Sequence, residues 1–446
     1  MRTDTDYPRT IIINAHFTEQ SGSGTYLGRL FSNWPVDRLA TVCSGTLPPD
    51  WRRCRLHYRT GDLEIRLQAP FKWLLPVTTS GSVLASTTAS VPLVISPPKI
   101  SFIHRLAQYA WRMFLRGLGG GETLYHVGPS PQLLAWAREF QPQVIYGHFS
   151  SLNSLRFLRR MQQALGLPLA LHFMDDWPTT LYRKSWTSRL MRWRYLTEFA
   201  ELLHSANVVI AICQEMAEEY EQRYKRPVLS LPMPVELDAY QTAVRTQWTA
   251  GRPFRLRYGG RVGWAIRESL ADISRAVHVL RQGGADVAFN IVTFQTEAVP
   301  AACLASDGVS VQTIGPLADL SRIQSEVDVL VICYDFDVTS FREARYSMPG
   351  KLADCMASGT PILVYGPAGL PVVEDARKEG WGKIVDSRDL VALRAAVRDL
   401  MESEALREQL GRTAKRLAAE RHDAKAVSES FRAILNTIGK EHHVGK

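Results

Sequence analysis

The chain has 446 residues, enough by length alone for two or three domains. Hydrophobic residues make up 46% and charged residues 22%, a globular balance that excludes a disordered or fibrous chain. A net charge of +9 suits an anionic partner, whether nucleotide, membrane surface or nucleic acid, without choosing among them.

The six cysteines, at 43, 54, 213, 303, 333 and 355, form no CxxC pair, and Cys213 and Cys333 sit in apolar runs. That usage reads as reduced, buried thiols of a cytoplasmic protein, not a disulfide framework. The start, MRTDTDYPRT, lacks an apolar h-region, so no signal peptide is expected. No apolar run reaches roughly 18 residues, so no membrane span is expected either.

In chain order, IIINA (11–15) is a short β-branched run, followed by SGSGT (21–25) and a helical pattern. Residues 101–118 set Phe102, Leu106, Ala110, Met113 and Phe114 on one helical face and Arg105, Gln108, Arg112 and Arg116 on the other. VIYGH (144–148), a helix over about 152–165, LALHF (169–173), a helix over about 187–203, and NVVIAI (207–212) come next, then a helix from near Gln214. The pattern lapses at 231–250 and restarts at FRLRYGG (254–260). There follow a helix over about 268–282, VAFNIVT (287–293), VDVLVICY (327–334), a helix from about 348, TPILVY (360–365) and helices from about Leu390. Strands alternating with helices imply an α/β chain of two Rossmann-like, doubly wound parallel-sheet domains facing a central cleft. We place them at 1–235 and 236–425, with a C-terminal helix at 426–446 packing back toward the first. Ligands of such sheets bind outside the carboxyl ends of the strands.

The segment 345–359, RYSMPGKLADCMASG, carries the most chemistry. Ser347 is a suitable helix N-cap and Pro349 a suitable first-turn residue. Met348, Leu352, Cys355 and Met356 recur at helical spacing. Free amides at the helix start would hold an anion. Lys351 in that first turn opposes the helix dipole unless an anion sits there, and Asp354, one turn on, could accept ribose hydroxyls. The plainer alternative is a capped core helix with a fortuitous lysine.

This segment resembles the donor site of GT-B glycosyltransferases, especially the retaining family 4 type. SGSGT, with Gly22 and Gly24, resembles the N-terminal glycine loop. RYGGRVG (257–263) and ASGTPILVYGP (357–367) are similar to the first C-terminal strand and to the strand after the donor helix. The resemblance implies a GT-B fold with donor in the second domain, acceptor in the first, and no essential metal or other cofactor. It implies diphosphate contacts from Ser347, Lys351, Arg261 and Arg267, and ribose contact from Asp354. The family's paired glutamates are spaced as Tyr346 and Asp354 are here; tyrosine stands at the sugar-facing position, and Arg267 is one position off the usual basic spacing.

His148 and His172 each end an apolar strand, and Asp175 and Asp176 follow the second. The resemblance implies His148 for sugar binding, Asp175 for orienting the acceptor, and His172 and Asp176 in the acceptor cleft. The alternatives are a core histidine at 172 and a turn cap at 176. Asp335 and Asp337 form a short DxD, read as a solvated loop in preference to a metal site. The basic and aromatic residues of 101–118 and 182–195 would suit an anionic bilayer interface, an ordinary packed helix, or, last, nucleic acid, for which no RRM, KH or zinc pattern is present.

The expected function is transfer of a sugar from a UDP- or GDP-sugar to a carbohydrate or lipid-linked acceptor, with retention, in polysaccharide or glycoconjugate biosynthesis. The expected place is cytoplasmic, with peripheral contact to the inner membrane face. The alternatives are a GT-B sugar-nucleotide epimerase and a non-catalytic GT-B scaffold.

Overall fold

The computed structural model describes residues 7–18, 21–44, 47–67, 79–83, 122, 125–183, 188–241, 245, 247–263, 265–313 and 320–444. The first domain holds β1 (Thr10–Ile13), β2 (Leu39–Cys43), β3 (Leu56–Arg59), β4 (Ile65–Leu67), β5 (Gly81–Val83), β6 (Tyr125–Val127), β7 (Val144–Gly147), β8 (Leu169–Phe173), β9 (Val208–Ala211) and β10 (Leu229–Ser230). Eight of these form one sheet in the order β10-β9-β8-β7-β1-β2-β3-β5. All its pairs are parallel except β3 with β5; β4 and β6 form a separate antiparallel pair. The second domain holds β11 (Phe254–Gly259), β12 (Val287–Thr293), β13 (Val309–Thr313), β14 (Val329–Cys333), β15 (Ile362–Tyr365) and β16 (Gly382–Val385), all parallel, in the order β13-β12-β11-β14-β15-β16.

The sequence builds these sheets through burial. Parallel strands covered by helices on both faces tolerate continuous apolar runs. Accordingly β1, β7, β8, β14 and β15 are buried at every position. At the edge, β13 (VSVQT) is buried nowhere. The helices that bear on function are α1 (Gly22–Leu30), α2 (Leu152–Leu165), α3 (Ser188–Ser205), α4 (Gln214–Tyr224), α5 (Arg267–Gln282), α6 (Val338–Ala344), α7 (Leu352–Ala357) and α8 (Ala424–Val444). Helix α2 shows why boundaries fall where they do. Ser151 and Ser154 form a capping box at its start, and Gly166 stops it in the left-handed conformation at φ 62°.

In each sheet the chain reverses direction of strand addition at one place. β1 lies between β2 and β7, and β11 between β12 and β14. Loops leaving the strands at these two switch points make the cleft. The chain leaves the first domain after β10 and later returns to it. Val235 N–H bonds His422 O at 2.7 Å and Ala424 N–H bonds Val235 O at 3.0 Å. Helix α8 then lies against the first domain. Phe431 is fully buried there, with ring centroids 5.0 Å from Phe31, 5.8 Å from Trp34 and 5.4 Å from Tyr146.

No disulfide joins any of the six cysteines, and all but Cys43 are buried. Among the described residues no helix is long and apolar enough to cross a membrane. Truncating Phe431 to Ala removes the aromatic plug between α8 and the first domain. We expect a loss of about 3–5 kcal/mol in urea unfolding, with Phe431→Leu losing clearly less.

Candidate active site between the two domains

On the first domain's side, Asn14 follows β1 with φ 66°, a left-handed conformation that asparagine tolerates. Its side-chain amide donates to His148 O at 2.8 Å and Ser154 O at 2.9 Å, which joins two strand-end loops. Burial holds the His148 pKa down to about 4, so its ring is neutral near pH 7 and offers one donor and one acceptor. Asp175 is partly buried, and Ser347 Oγ donates to its Oδ1 at 3.2 Å from across the cleft. Burial raises the Asp175 pKa, while the Ser347 bond and the charge of Arg261 oppose that rise. Asp175, Ser347 and Arg261 thus come together, while His148 follows β7, the strand beside β8.

Two neighbours do not join them. His172 is 1% exposed, with Tyr146 Oη 2.8 Å from Nδ1 and Tyr26 Oη 3.4 Å from Nε2. Burial first, and His148 second, push its pKa down to about 3. It is a core residue behind His148 and not an acceptor ligand, because both nitrogens face tyrosine hydroxyls. Asp176 is equally buried. Its Oδ1 accepts from Tyr220 Oη at 2.8 Å and Arg223 Nη1 at 3.4 Å, so it ties α4 to the turn after β8 and does not face the cleft.

On the second domain's side the segment 345–359 differs from expectation at its start. Helix α7 begins at Leu352, and Ser347 is no cap. The Ser347 amide bonds Ala344 O at 3.0 Å and the Leu352 amide bonds Pro349 O at 2.9 Å. Pro349 disfavours helical geometry at Met348, and Gly350 weakens it further, so the chain turns before it coils. Two of the amides assigned to an anion, those of Ser347 and Leu352, are therefore spent.

Lys351 is the side chain placed to meet an anion. Its ammonium lies 3.6 Å from the Tyr258 ring centroid and donates to Gly259 O at 2.9 Å. Gly260, at φ 144°, continues the same floor, and a Cβ there would sit 3.6 Å from Lys351 Nζ. Among the described residues no carboxylate pairs with this ammonium, and burial lowers its pKa. An ammonium has three donors. One serves the carbonyl and one side meets the ring face, so donor capacity remains for a ligand at the switch point of the second sheet. Arg261 and Arg267 are both exposed, the first in the loop after β11 and the second opening α5.

Asp354 does not face this floor. Arg29 of α1 grips it with both guanidinium nitrogens, Nη1 to Oδ2 at 2.8 Å and Nη2 to Oδ1 at 2.7 Å, and Tyr240 Oη lies 2.9 Å from Oδ1. With its side chain 5% exposed, it is an interdomain anchor, and the ribose role expected of it is not open to it in this arrangement. Tyr346 likewise is engaged by protein groups. It is 9% exposed, hydrogen-bonds Glu219, and lies under Arg223 and Arg345 at 5.7 and 5.2 Å. Sequence reasoning missed Arg29, Tyr240 and Tyr258, and no spacing signal marks them.

The DxD residues are both helix caps. Asp337 accepts from Thr339 N at 2.9 Å and Ser340 N at 3.1 Å at the start of α6. Asp335 accepts from Ser269 N at 2.7 Å in the first turn of α5, and at 1% exposure it is not the solvated residue expected. Among the described residues no group of three metal-ligating side chains forms. In the glycine loop, a Cβ on Gly24 would stand 2.3 Å from Thr18 O, whereas Gly22 is exposed with open space around it. Residues 101–118 lie outside the described residues, as do 184–187 within 182–195.

Two measurements follow from these burials. Arg29→Met strands a buried carboxylate and should cost about 3–5 kcal/mol in urea unfolding, most of it recovered in Arg29→Met/Asp354→Leu. His172 has a folded pKa near 3, below its ordinary 6.5. The unfolded chain therefore takes up the proton first, and this contribution is complete above pH 6.5 and declines steadily toward pH 3. In His172→Phe the fall of unfolding free energy over that window should be shallower, by up to about 1.4 kcal/mol per pH unit.

Residues 98–239, in the first domain, match the sequence model of Glycosyltransferase Family 4. No curated protein matches the chain in sequence. Among solved structures, HepE of Anabaena in complex with UDP and glucose is similar at TM-score 0.61 and 12% identity, covering 96% of this chain and 100% of that one. Sucrose-phosphate synthase from Thermosynechococcus elongatus is similar at TM-score 0.60 and 14% identity, covering 96% and 98%. The α,α-trehalose-phosphate synthase (UDP-forming) from Burkholderia xenovorans, in complex with glucose-6-phosphate, is similar at TM-score 0.55 and 10% identity, covering 96% and 99%. The chain has the GT-B fold of these glycosyltransferases.

Proposed function

We propose that this protein is a glycosyltransferase that moves a sugar from a nucleoside diphosphate sugar to a carbohydrate or lipid-linked acceptor, with retention. The observation that carries the reading is the Lys351 ammonium. It is half-buried at the switch point of the second sheet without a carboxylate partner among the described residues. A half-buried cation without a counter-ion is costly, and an anionic ligand removes the cost. Lys351 and Arg261 would bind the diphosphate, with Arg267 and Ser347 close by. Between UDP and GDP, the similar proteins support UDP, since HepE is in complex with UDP and the trehalose-phosphate synthase is UDP-forming.

In the transfer, the bond from the sugar's anomeric carbon to the phosphate oxygen breaks and the bond to the acceptor oxygen forms on the same face. The acceptor proton goes to the leaving phosphate, so no strong base is needed. Neutral His148 would hold a sugar hydroxyl, and Asp175 would orient the acceptor. The two protein cations would balance the leaving charge without a metal, so EDTA should leave the rate unchanged. Synthesis of a polysaccharide or glycoconjugate is the setting this chemistry fits.

Thermal-shift titration with UDP, GDP, ADP and their sugars tests the reading. A UDP species should raise Tm, and Lys351→Met should weaken its binding about 10- to 100-fold, the effect of one hydrogen bond to a charged group. No shift with any nucleotide would overturn it. A second reading, a binding scaffold without turnover, is favoured by Tyr346, which stands where a carboxylate would face the sugar and instead bonds Glu219. Nucleotide binding without hydrolysis or transfer of any UDP-sugar would select it. Release of UDP separates transfer from epimerisation, which leaves the diphosphate attached.

A further inference from the structure

Helix α3 has an unusual outer face in its first turns. Leu190 and Trp193 are each 64% exposed, among the most exposed large apolar side chains described. They are three residues apart and so share one helix face. The opposite face is spent on the core through Met191, Tyr195, Phe199 and Leu202. Arg189 and Arg194 flank the pair, both exposed, and neither forms an ion pair with a described residue. From Arg183 to Thr197 the sequence has five basic residues and no acidic one.

The position of this face matters as much as its composition. Helix α3 connects the end of β8 to the start of β9, so its first turns lie at the cleft end of the sheet. Arg192 fixes them there, donating to Leu181 O at 2.9 Å and Pro178 O at 3.2 Å, in the turn that follows Asp175 and Asp176.

We propose that Leu190, Trp193, Arg189 and Arg194 form a docking surface for an anionic lipid bilayer at the rim of the cleft. Indole and leucine side chains insert at the headgroup boundary while arginines meet lipid phosphates. A single-stranded nucleic acid would use the tryptophan for stacking and the arginines for phosphates, but would leave Leu190 without a role. Docked this way, the mouth of the cleft sits against the membrane. The surface does not depend on the transfer reading, but a bilayer there would present a lipid-linked acceptor to Asp175.

The test is co-sedimentation of the full chain with vesicles of phosphatidylcholine alone or mixed with phosphatidylglycerol, at low and raised salt. The wild type should bind the mixed vesicles, more weakly as salt rises, and bind phosphatidylcholine poorly. Leu190→Ser/Trp193→Ser should reduce binding about tenfold or more, and Arg189→Glu/Arg194→Glu should reduce it at low salt. These side chains are exposed, so melting temperatures and the UDP thermal shift should stay at wild-type values, which separates loss of docking from loss of nucleotide binding. Absence of binding to mixed vesicles, or a serine variant that binds as the wild type does, overturns the proposal. So does Trp193-dependent binding of single-stranded RNA without vesicle binding.

Discussion

A buried ion pair, Arg29 with Asp354, ties the two domains together through residues 325 positions apart. Taking both charges out of water costs several kcal/mol each, and only good geometry offsets that. The geometry here is a fork, two parallel N–H···O bonds, with Tyr240 close to the same carboxylate. A lysine could not reproduce it, because a point charge cannot span both oxygens. Arg29 also lies at the far end of α1, whose Ser21 cap stands at the cleft. The helix is about 13 Å long by its rise per residue, so the glycine loop and the interdomain anchor are two ends of one rigid rod.

This anchor also determines the charge of the cleft. Lys351 and Asp354 are three positions apart and would pair on a regular helix face. They do not, because Lys351 stands before α7 and reaches Gly259, while Asp354 reaches Arg29. One acid is consumed by a cation from the other domain, and one cation is left without an acid. The cleft floor at the second sheet's switch point is positive for that reason, not because basic residues merely outnumber acidic ones. Asp335, the acid nearest to hand in sequence after β14, is likewise spent on the Ser269 amide.

The central strands were readable because burial on both faces leaves a local mark, an unbroken apolar run. LALHF at 169–173 coincides with β8, buried throughout, and the helix over 152–165 with α2; VAFNIVT at 287–293 coincides with β12, where buried and half-buried positions alternate. The outer strands β3 and β5 are short and half-buried, so their sequences carry no such mark. The site was legible by segment and not by side chain. Asp175, Arg261 and Ser347 do come together, and Lys351 reaches the end of β11. What each neighbour faces is a tertiary fact. Nothing near Asp354 announces Arg29, and nothing near His172 announces Tyr26 and Tyr146. The DxD misled in a smaller way, since each aspartate caps a different helix, one of them far along the chain.

The strand-end residues also constrain the chemistry a transfer could use here. Burial keeps the His148 ring neutral, since its proton is lost well below pH 7. Asp175 is pulled both ways, toward the neutral form by burial and toward the carboxylate by Ser347 and Arg261. A poor base and a neutral imidazole are weak equipment for stripping a proton from an acceptor hydroxyl. They are well suited to holding hydroxyls in place while another group takes the proton. A leaving phosphate held beside Lys351 is such a group, and it gains basicity as the sugar departs. A retaining transfer therefore asks little of the acids and bases in this cleft and much of its cations, which is how the charges here are arranged.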